Sequence, residues 1–345
     1  MRENTIDIIK AFGIILMVNG HAGVPIVRWI YLFHMALFFL VTGYCMKDKY
    51  SNTKEDLILF IKRKIKSLYV PCVMFNVFLT LFHNVFVKIY ILNENLYNIK
   101  QLGLEILKCI LFSGGNQLGG AMWFLRTMCI SLLIYMLLEY ILKKVCFKHY
   151  EMIKFIIFFI LLICSWKIGL KISRNQYFNI FTVLILYQIG HVIKKYNFKI
   201  KNIYGCFVLS MCILIILTKM GVVINLNNNK IYNPVVFIVA SISGYIFCYS
   251  FSKIIEKYQH LALILQYIGQ NTLPIMMLHF LAFKIVTLIQ IILEHTNLKN
   301  LTSYPCYIIS NGWWILYTIV GISVPLMINY IYRNIKKKCS AKCIS

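Results

Sequence analysis

The chain has 345 residues, of which 60% are hydrophobic and only 14% charged, and its mean hydropathy is +0.74. A water-soluble protein of this length needs far more charged surface, so the composition excludes a soluble globular enzyme and predicts a polytopic membrane protein. The formal net charge of +25 does not point to nucleic acid, because the lysines fall in short connections between apolar runs and form no basic domain.

Apolar runs long enough to cross a hydrocarbon core recur throughout. They predict about ten spans, at 6–24, 27–46, 68–91, 121–142, 152–166, 177–193, 202–219, 233–252, 271–293 and 311–332. The first run is no cleavable signal peptide, since it carries Asp7 and Lys10 and a second span follows at once. Base accumulates in alternate connections: Lys47, Lys49, Lys54, Lys62, Arg63, Lys64 and Lys66; then Lys143, Lys144, Lys148 and Lys154; then Lys194, Lys195, Lys199 and Lys201; then Lys253 and Lys257. The tail adds Arg333, Lys336, Lys337, Lys338 and Lys342, whereas 92–120 and 294–310 balance base with acid. Arg28, Lys167, Lys171 and Arg174 are exceptions on the other side. The positive-inside rule then puts both termini in the cytoplasm. The expected fold is an all-α polytopic membrane helix bundle, one domain over 1–345, in the cell membrane.

The opening, residues 6–46, reads as a helical hairpin whose polar residues a passive anchor would not carry. Lys10 and His21 are eleven residues apart, hence nearly in line on one helix face and separated by roughly 16 Å along the axis. Asp7 is too far from His21 for a dyad on one straight helix and is expected to pair with Lys10 at i, i+3, or with a base on a neighbouring helix. Lys10 could hold the phosphates of a long anionic ligand while its far end reaches His21, an imidazole suited to general-base work. The structural alternative is that Lys10 snorkels to the inner surface and His21 caps the helix. His34, in FHMALFFLVTGY, has no easy route to either surface; it is catalytic or makes an interhelical hydrogen bond.

Further along, residues 113–120 (SGGNQLGG) read as a flexible lead-in to the fourth span. Arg126 lies one turn into that span, where a guanidinium suits phosphate or carboxylate unless it snorkels outward. Trp29, Tyr31, Trp123, Trp166, Trp313 and Trp314 fall near outer ends, as interfacial anchors do. Residues 220–233 form a polar outer loop, and 254–270 is too short to span and lies along the inner surface. His279 occupies the middle of the ninth span, with Pro274 leaving backbone carbonyls nearby. His83 and His191 read as structural, and His149, His260 and His295 as surface residues. The twelve cysteines, among them Cys72, Cys109, Cys164, Cys212 and Cys248, form no CxxC pair or Cys/His cluster, so no metal is expected. Cys339 and Cys343 are candidates for lipidation.

These residues are where the sequence resembles acyltransferase family 3, the multi-span membrane acyltransferases. IDIIKAFGIILMVNGHAG is similar to the family's first helix, marked by a basic residue separated by ten residues from a histidine, here Lys10 and His21. LFHMALFFLVTGY resembles its second helix, with Ala36 where a proline commonly follows His-Met. MWFLRTM and GQNTLPIMMLHFL resemble a middle and a late helix. The form with Lys at the basic position is similar to the branch of sugar O-acetylases. The resemblance implies that acetyl-CoA is the donor substrate and that no cofactor is permanently bound. Lys10 and Arg126 would bind the donor, His21 and His34 would be catalytic, and Asp7, Trp123 and His279 would support them. Partners would be acyl-CoA, membrane lipids and a sugar hydroxyl of a cell-surface polysaccharide or its lipid-linked precursor. Two competing readings stand beside it. One is a membrane O-acyltransferase of the other large class, using His279; the second is a transporter or flippase of a lipid-linked sugar.

Overall fold

The computed structural model describes residues 3–145, 149–172 and 177–342, with side chains through Cys339. Lys148, Arg174, Cys343 and the side chain of Lys342 lie outside the described residues. In chain order the helices are α1 Asn4–His21, α2 Val27–Tyr31, α3 His34–Tyr44, α4 Lys54–Lys64, α5 Val70–Leu81, α6 His83–Lys88, α7 Ile99–Ile110 and α8 Met122–Val145. There follow α9 Tyr150–Lys171, α10 Asn179–Thr182, α11 Leu184–Lys195, α12 Ile203–Lys219, α13 Pro234–Ile255, α14 Gln259–Gln270, α15 Thr272–Leu293 and α16 Trp313–Lys342. The one sheet among the described residues is a hairpin, β1 Ile224–Asn225 against β2 Lys230–Ile231.

Among the described residues seven helices are long and apolar enough to cross a membrane: 27–44, 54–81, 122–145, 150–171, 234–255, 272–293 and 313–339. The other three expected spans are also helical, but α1 is 18 residues long with three ionisable groups, Asp7, Lys10 and His21, α12 has 17 residues, and 177–193 is divided between α10 and α11. Large apolar side chains such as Met74, Phe78, Ile160, Leu209, Ile216, Ile319 and Ile328 point outward, where lipid is the natural solvent. This is an all-α membrane bundle.

α1 lies at its centre. It packs against α3, α13, α14, α15 and α16, and its residues Ile8, Ile9, Ala11, Ile14 and Val18 are almost wholly buried. Backbones come close where a side chain is missing. A Cβ on Gly269 of α14 would lie 1.8 Å from the Asp7 carbonyl oxygen. One on Gly190 of α11 would lie 2.0 Å from the Leu40 oxygen of α3. Such contacts let helices approach where hydrocarbon gives no hydrophobic drive to association.

Several local expectations change. The connection 47–66 is helical from Lys54, where the Thr53 hydroxyl caps the Asp56 amide at 3.1 Å; α4 runs through a π turn at Ile65–Tyr69 into α5, so the third span is 54–81 and not 68–91. The helix stops at Leu81, and α6 takes a new course. Within 92–120, α7 starts with a reciprocal Asn98/Gln101 capping box. The glycine-rich 113–120 contains a 3-10 turn at Gln117–Gly119. Pro274 lies in the first turn of α15, where its missing N–H costs no helical bond. Within 254–270, the stretch too short to span, lies α14, which packs on α1.

The lysine-rich ends of α8, α9, α11 and α13 gather beside the start of α1 and form a basic end. Glu3 bonds Lys194, whose ammonium holds the Glu3 carboxyl below its usual range. Lys154, expected in a solvated connection, is fully buried instead, 3.1 Å from Glu139 and 3.2 Å from Glu151. A buried ammonium persists only with such partners. His191 lies 3.4 Å from both Asp48 and Glu151, and His83 stacks on Tyr97 with its Nε2 3.0 Å from the Asn95 carbonyl; both have structural contacts.

The close α3–α11 contact predicts that Gly190→Ala forces the two backbones apart and costs about 1–3 kcal/mol, read as a lower Tm in detergent. Gly103→Ala, which meets no atom within 4 Å, should leave Tm unchanged or raise it. Equal Tm values for Gly190→Ala and the parent protein would remove this close packing from the account of stability.

Candidate active site

A cavity of about 600 Å³ runs beside α1. Lys10, Ile14, Met17 and His21 line it, and their spacings of four, three and four residues follow one helix face. Lys10 and His21 thus share one wall, as the spacing predicts. α3 supplies His34, Phe38 and Thr42 to the same cavity, and α8 supplies Trp123. Trp123 therefore faces the cavity and is no simple interfacial anchor.

A second cavity of about 290 Å³ shares Lys10, Thr42 and Ser67 with the first and adds Lys47, Arg63 and Lys64. The two adjoin at those shared residues, so the large cavity opens toward a basic mouth. The π turn at Ile65–Tyr69 carries Ser67 to the junction, and π turns inside α-helices often mark functional sites. Sequence reading placed Lys47, Arg63 and Lys64 only among the orientation-setting basic residues of 47–66.

At the far end of α1 the tautomers can be worked out from the partners. His279 Nδ1 lies 3.1 Å from the Ile275 carbonyl and 2.9 Å from that of Met276. A carbonyl only accepts, so Nδ1 carries the proton and Nε2 of neutral His279 carries a lone pair. His21 Nδ1 is 2.9 Å from that Nε2 and must donate to it. The lone pair of His21 is thereby left on Nε2. The two rings lie nearly parallel, 5.0 Å between centroids, and Phe280 packs beside both. His34 Nδ1 likewise donates to the Ile30 carbonyl at 2.9 Å, so its Nε2 is also the unprotonated nitrogen. Its ring stacks on Tyr31.

The remaining expected residues divide. Asp7 is buried, 3.9 Å from Lys10 at i, i+3, and accepts from Gln270 at 3.1 Å. Asn19 accepts from Thr318 at 2.6 Å and ties α1 to α16. Arg126 does not line the cavity. Its guanidinium lies over the Tyr177 ring at 4.5 Å, with Nη1 3.5 Å from the Phe112 carbonyl. The geometry brings Lys10, His21, His34, Trp123 and, behind His21, His279 together, and leaves Arg126 apart.

Cys306, in the connection after α15, places Sγ 3.5 Å from the His21 carbonyl. Burial pushes its thiol up to about 12, so it stays protonated and is no ready nucleophile. Burial also raises the Tyr304 phenol. A metal would find Asp48, Glu139 and His191 within 4.8 Å of one another, but the Lys143 and Lys154 ammoniums already sit 3.2 and 3.1 Å from Glu139.

A membrane bundle whose basic mouth leads along one helix to a pair of hydrogen-bonded histidines has the form of a membrane-embedded enzyme. A family model described as an acyltransferase domain matches residues 3–330, and the chain belongs to acyltransferase family 3. It is a membrane acyltransferase. No curated protein and no solved structure matches the chain.

The tautomer assignment is directly measurable. In ¹⁵N-histidine spectra of the protein in detergent, His21, His34 and His279 should each show the proton on Nδ1. His279→Leu should release His21 to a mixture of tautomers. A proton on Nε2 of His21 in the parent protein contradicts the chain of donors described here.

Proposed function

We propose that this acyltransferase moves an acetyl group from acetyl-CoA to a sugar hydroxyl of a cell-surface polysaccharide or its lipid-linked precursor. The observation that carries the reading is the run of one cavity wall from Lys10 to His21, opening at the Lys10 end onto Lys47, Arg63 and Lys64. A molecule with a polyanionic head, a long uncharged arm and a thioester at its tip matches that order of surfaces. The cations bind phosphates, and the roughly 16 Å along α1 takes the arm.

The positive-inside rule assigns the basic end to the cytoplasm, where acyl-CoA is made available, with both termini on that side and the protein in the cell membrane. His21 acts as general base through Nε2. The acceptor oxygen attacks the thioester carbonyl carbon as Nε2 takes the hydroxyl proton. The tetrahedral intermediate then collapses, the C–S bond breaks, and CoA leaves with that proton as the thiol. His279 orients His21. Both of its nitrogens are committed to protein partners, which argues against His279 as the base itself. His34, with a lone pair on Nε2, accepts a hydrogen bond from the acceptor and orients it. Asp7 and Gln270 hold Lys10 and its surroundings, and Trp123 gives the cavity an aromatic wall. Arg126, turned toward Tyr177, stays outside this scheme.

The test is acetyl-CoA binding and turnover by purified protein in detergent. Lys10→Ala should weaken binding about tenfold, roughly 1.4 kcal/mol, and His21→Ala should bind normally but lose about 10²–10⁴-fold in rate. A parent protein that neither binds nor turns over acetyl-CoA removes the reading and favours a carrier of lipid-linked sugar. A His279→Ala protein that is inactive beside an active His21→Ala protein transfers the base to His279. At the mouth, the double variant Arg63→Ala/Lys64→Ala should lose affinity for acetyl-CoA and show a weaker dependence of binding on salt.

A further inference from the structure

The end of the large cavity away from the basic mouth is closed by the β1–β2 hairpin. Ile224, Asn225, Leu226 and Asn227 all line it. The hairpin pairs Ile224 with Ile231 and Asn225 with Lys230, and two buried asparagines fasten it to the bundle. Asn179 accepts from Thr127 at 3.0 Å and donates to the Leu226 carbonyl at 3.0 Å. Asn229, at φ +50°, accepts from Thr182 at 2.6 Å and donates to the Ser165 hydroxyl at 2.9 Å. Buried amides are tolerated only when satisfied, and here their satisfaction fixes the position of a surface turn. A turn that needed only to connect α12 to α13 has no use for such anchorage.

The anchored turn presents two side-chain amides to the cavity. Asn225 uses its Oδ1 to accept from the Asn228 amide at 3.2 Å, which leaves its NH₂ group. The Asn227 side chain, half-buried, makes no hydrogen bond to protein among the described residues. Tyr31, Trp123 and Tyr304 line the same cavity, as does His21. Among the described lining residues the one lysine or arginine is Lys10, and there is no carboxylate; Lys10 is roughly 16 Å along α1 from His21.

We infer that the hairpin is the acceptor-recognition wall: the Asn225 and Asn227 amides hydrogen-bond the hydroxyls of an uncharged sugar ring held among Tyr31, Trp123 and Tyr304, so that one hydroxyl reaches His21. The inference rests on the acyl-transfer reading above. Ring faces and amides together suit a polyhydroxylated, neutral ligand. An anionic sugar would find no cation among the described lining residues at this end, and its charge would enter a low-dielectric cavity unpaired.

The experiment measures acetyl transfer from acetyl-CoA to methyl glucoside, methyl galactoside, methyl mannoside and methyl N-acetylglucosaminide, beside methyl glucuronide and glucose 6-phosphate. Acetyl-CoA binding and hydrolysis without acceptor are measured in parallel. Neutral glycosides should be acetylated at least tenfold faster than the anionic ones. Asn225→Ala and Asn227→Ala should each raise the acceptor KM about tenfold, with the acetyl-CoA KM and hydrolysis unchanged. Lys230→Ala, whose side chain is exposed on the outer strand, should match the parent protein. The inference is overturned if the asparagine variants transfer like the parent, if the anionic acceptors are preferred, or if the parent hydrolyses acetyl-CoA yet acetylates none of the glycosides. A parent protein that does not bind acetyl-CoA at all fails at the acyl-transfer reading instead.

Discussion

A helix that carries Asp7, Lys10, Asn19 and His21 cannot turn those groups toward lipid, and the arrangement of the bundle follows from that constraint. α1 is enclosed by α2, α3, α13, α14, α15 and α16, and its polar groups are either paired or given a cavity to face. Asp7 meets Lys10 and Gln270, Asn19 meets Thr318, and His21 meets His279. The close approach of Gly269 to the Asp7 backbone brings α14, and with it Gln270, up to this helix. The glycine contact and the polar contact therefore depend on one another: a bulkier residue at 269 would move the amide away from the carboxylate.

Along its length the cavity separates two kinds of physics. Near Lys10 the surface is cationic and partly exposed, suited to attracting a charged group from water at long range. Near His21 it is aromatic and amide-lined, suited to close-range recognition through shape and hydrogen bonds. The histidines lie where the second regime begins. Between them the wall of α1 offers only Ile14 and Met17, a stretch with nothing to hold a charge.

Much of this was legible in the sequence because it is local. Hydropathy marked the apolar stretches, and the 3.6-residue period placed Lys10 and His21 on one face. What was not legible depends on contacts between distant segments. Nothing in LVTGY or YQIGH says that Gly43 meets the Tyr187 backbone and Gly190 the Leu40 carbonyl, or that His279 lies against a residue 258 positions earlier. Lys154 reads as a solvated loop lysine because its partner Glu139 sits on another helix. Arg126 and Trp123 are three residues apart, yet only Trp123 reaches the cavity, since a neighbouring aromatic ring, Tyr177, draws the guanidinium aside. The π turn before α5 is also invisible to a period-based reading, which assumes the regular helix it interrupts.

The pairing of His21 with a second histidine, and not with a carboxylate, has an electrostatic consequence. A carboxylate in that place would be a permanent charge in a low-dielectric interior, present whether or not substrate was bound. Two neutral rings impose no such standing cost. In the proposed reaction a positive charge arises on His21 only when it has taken the acceptor's proton. The shared Nδ1 proton can then shift toward His279, whose own N–H points at two backbone carbonyl dipoles. The resting protein is thus electrically silent at its centre, and its polarity there is switched on by the substrate alone.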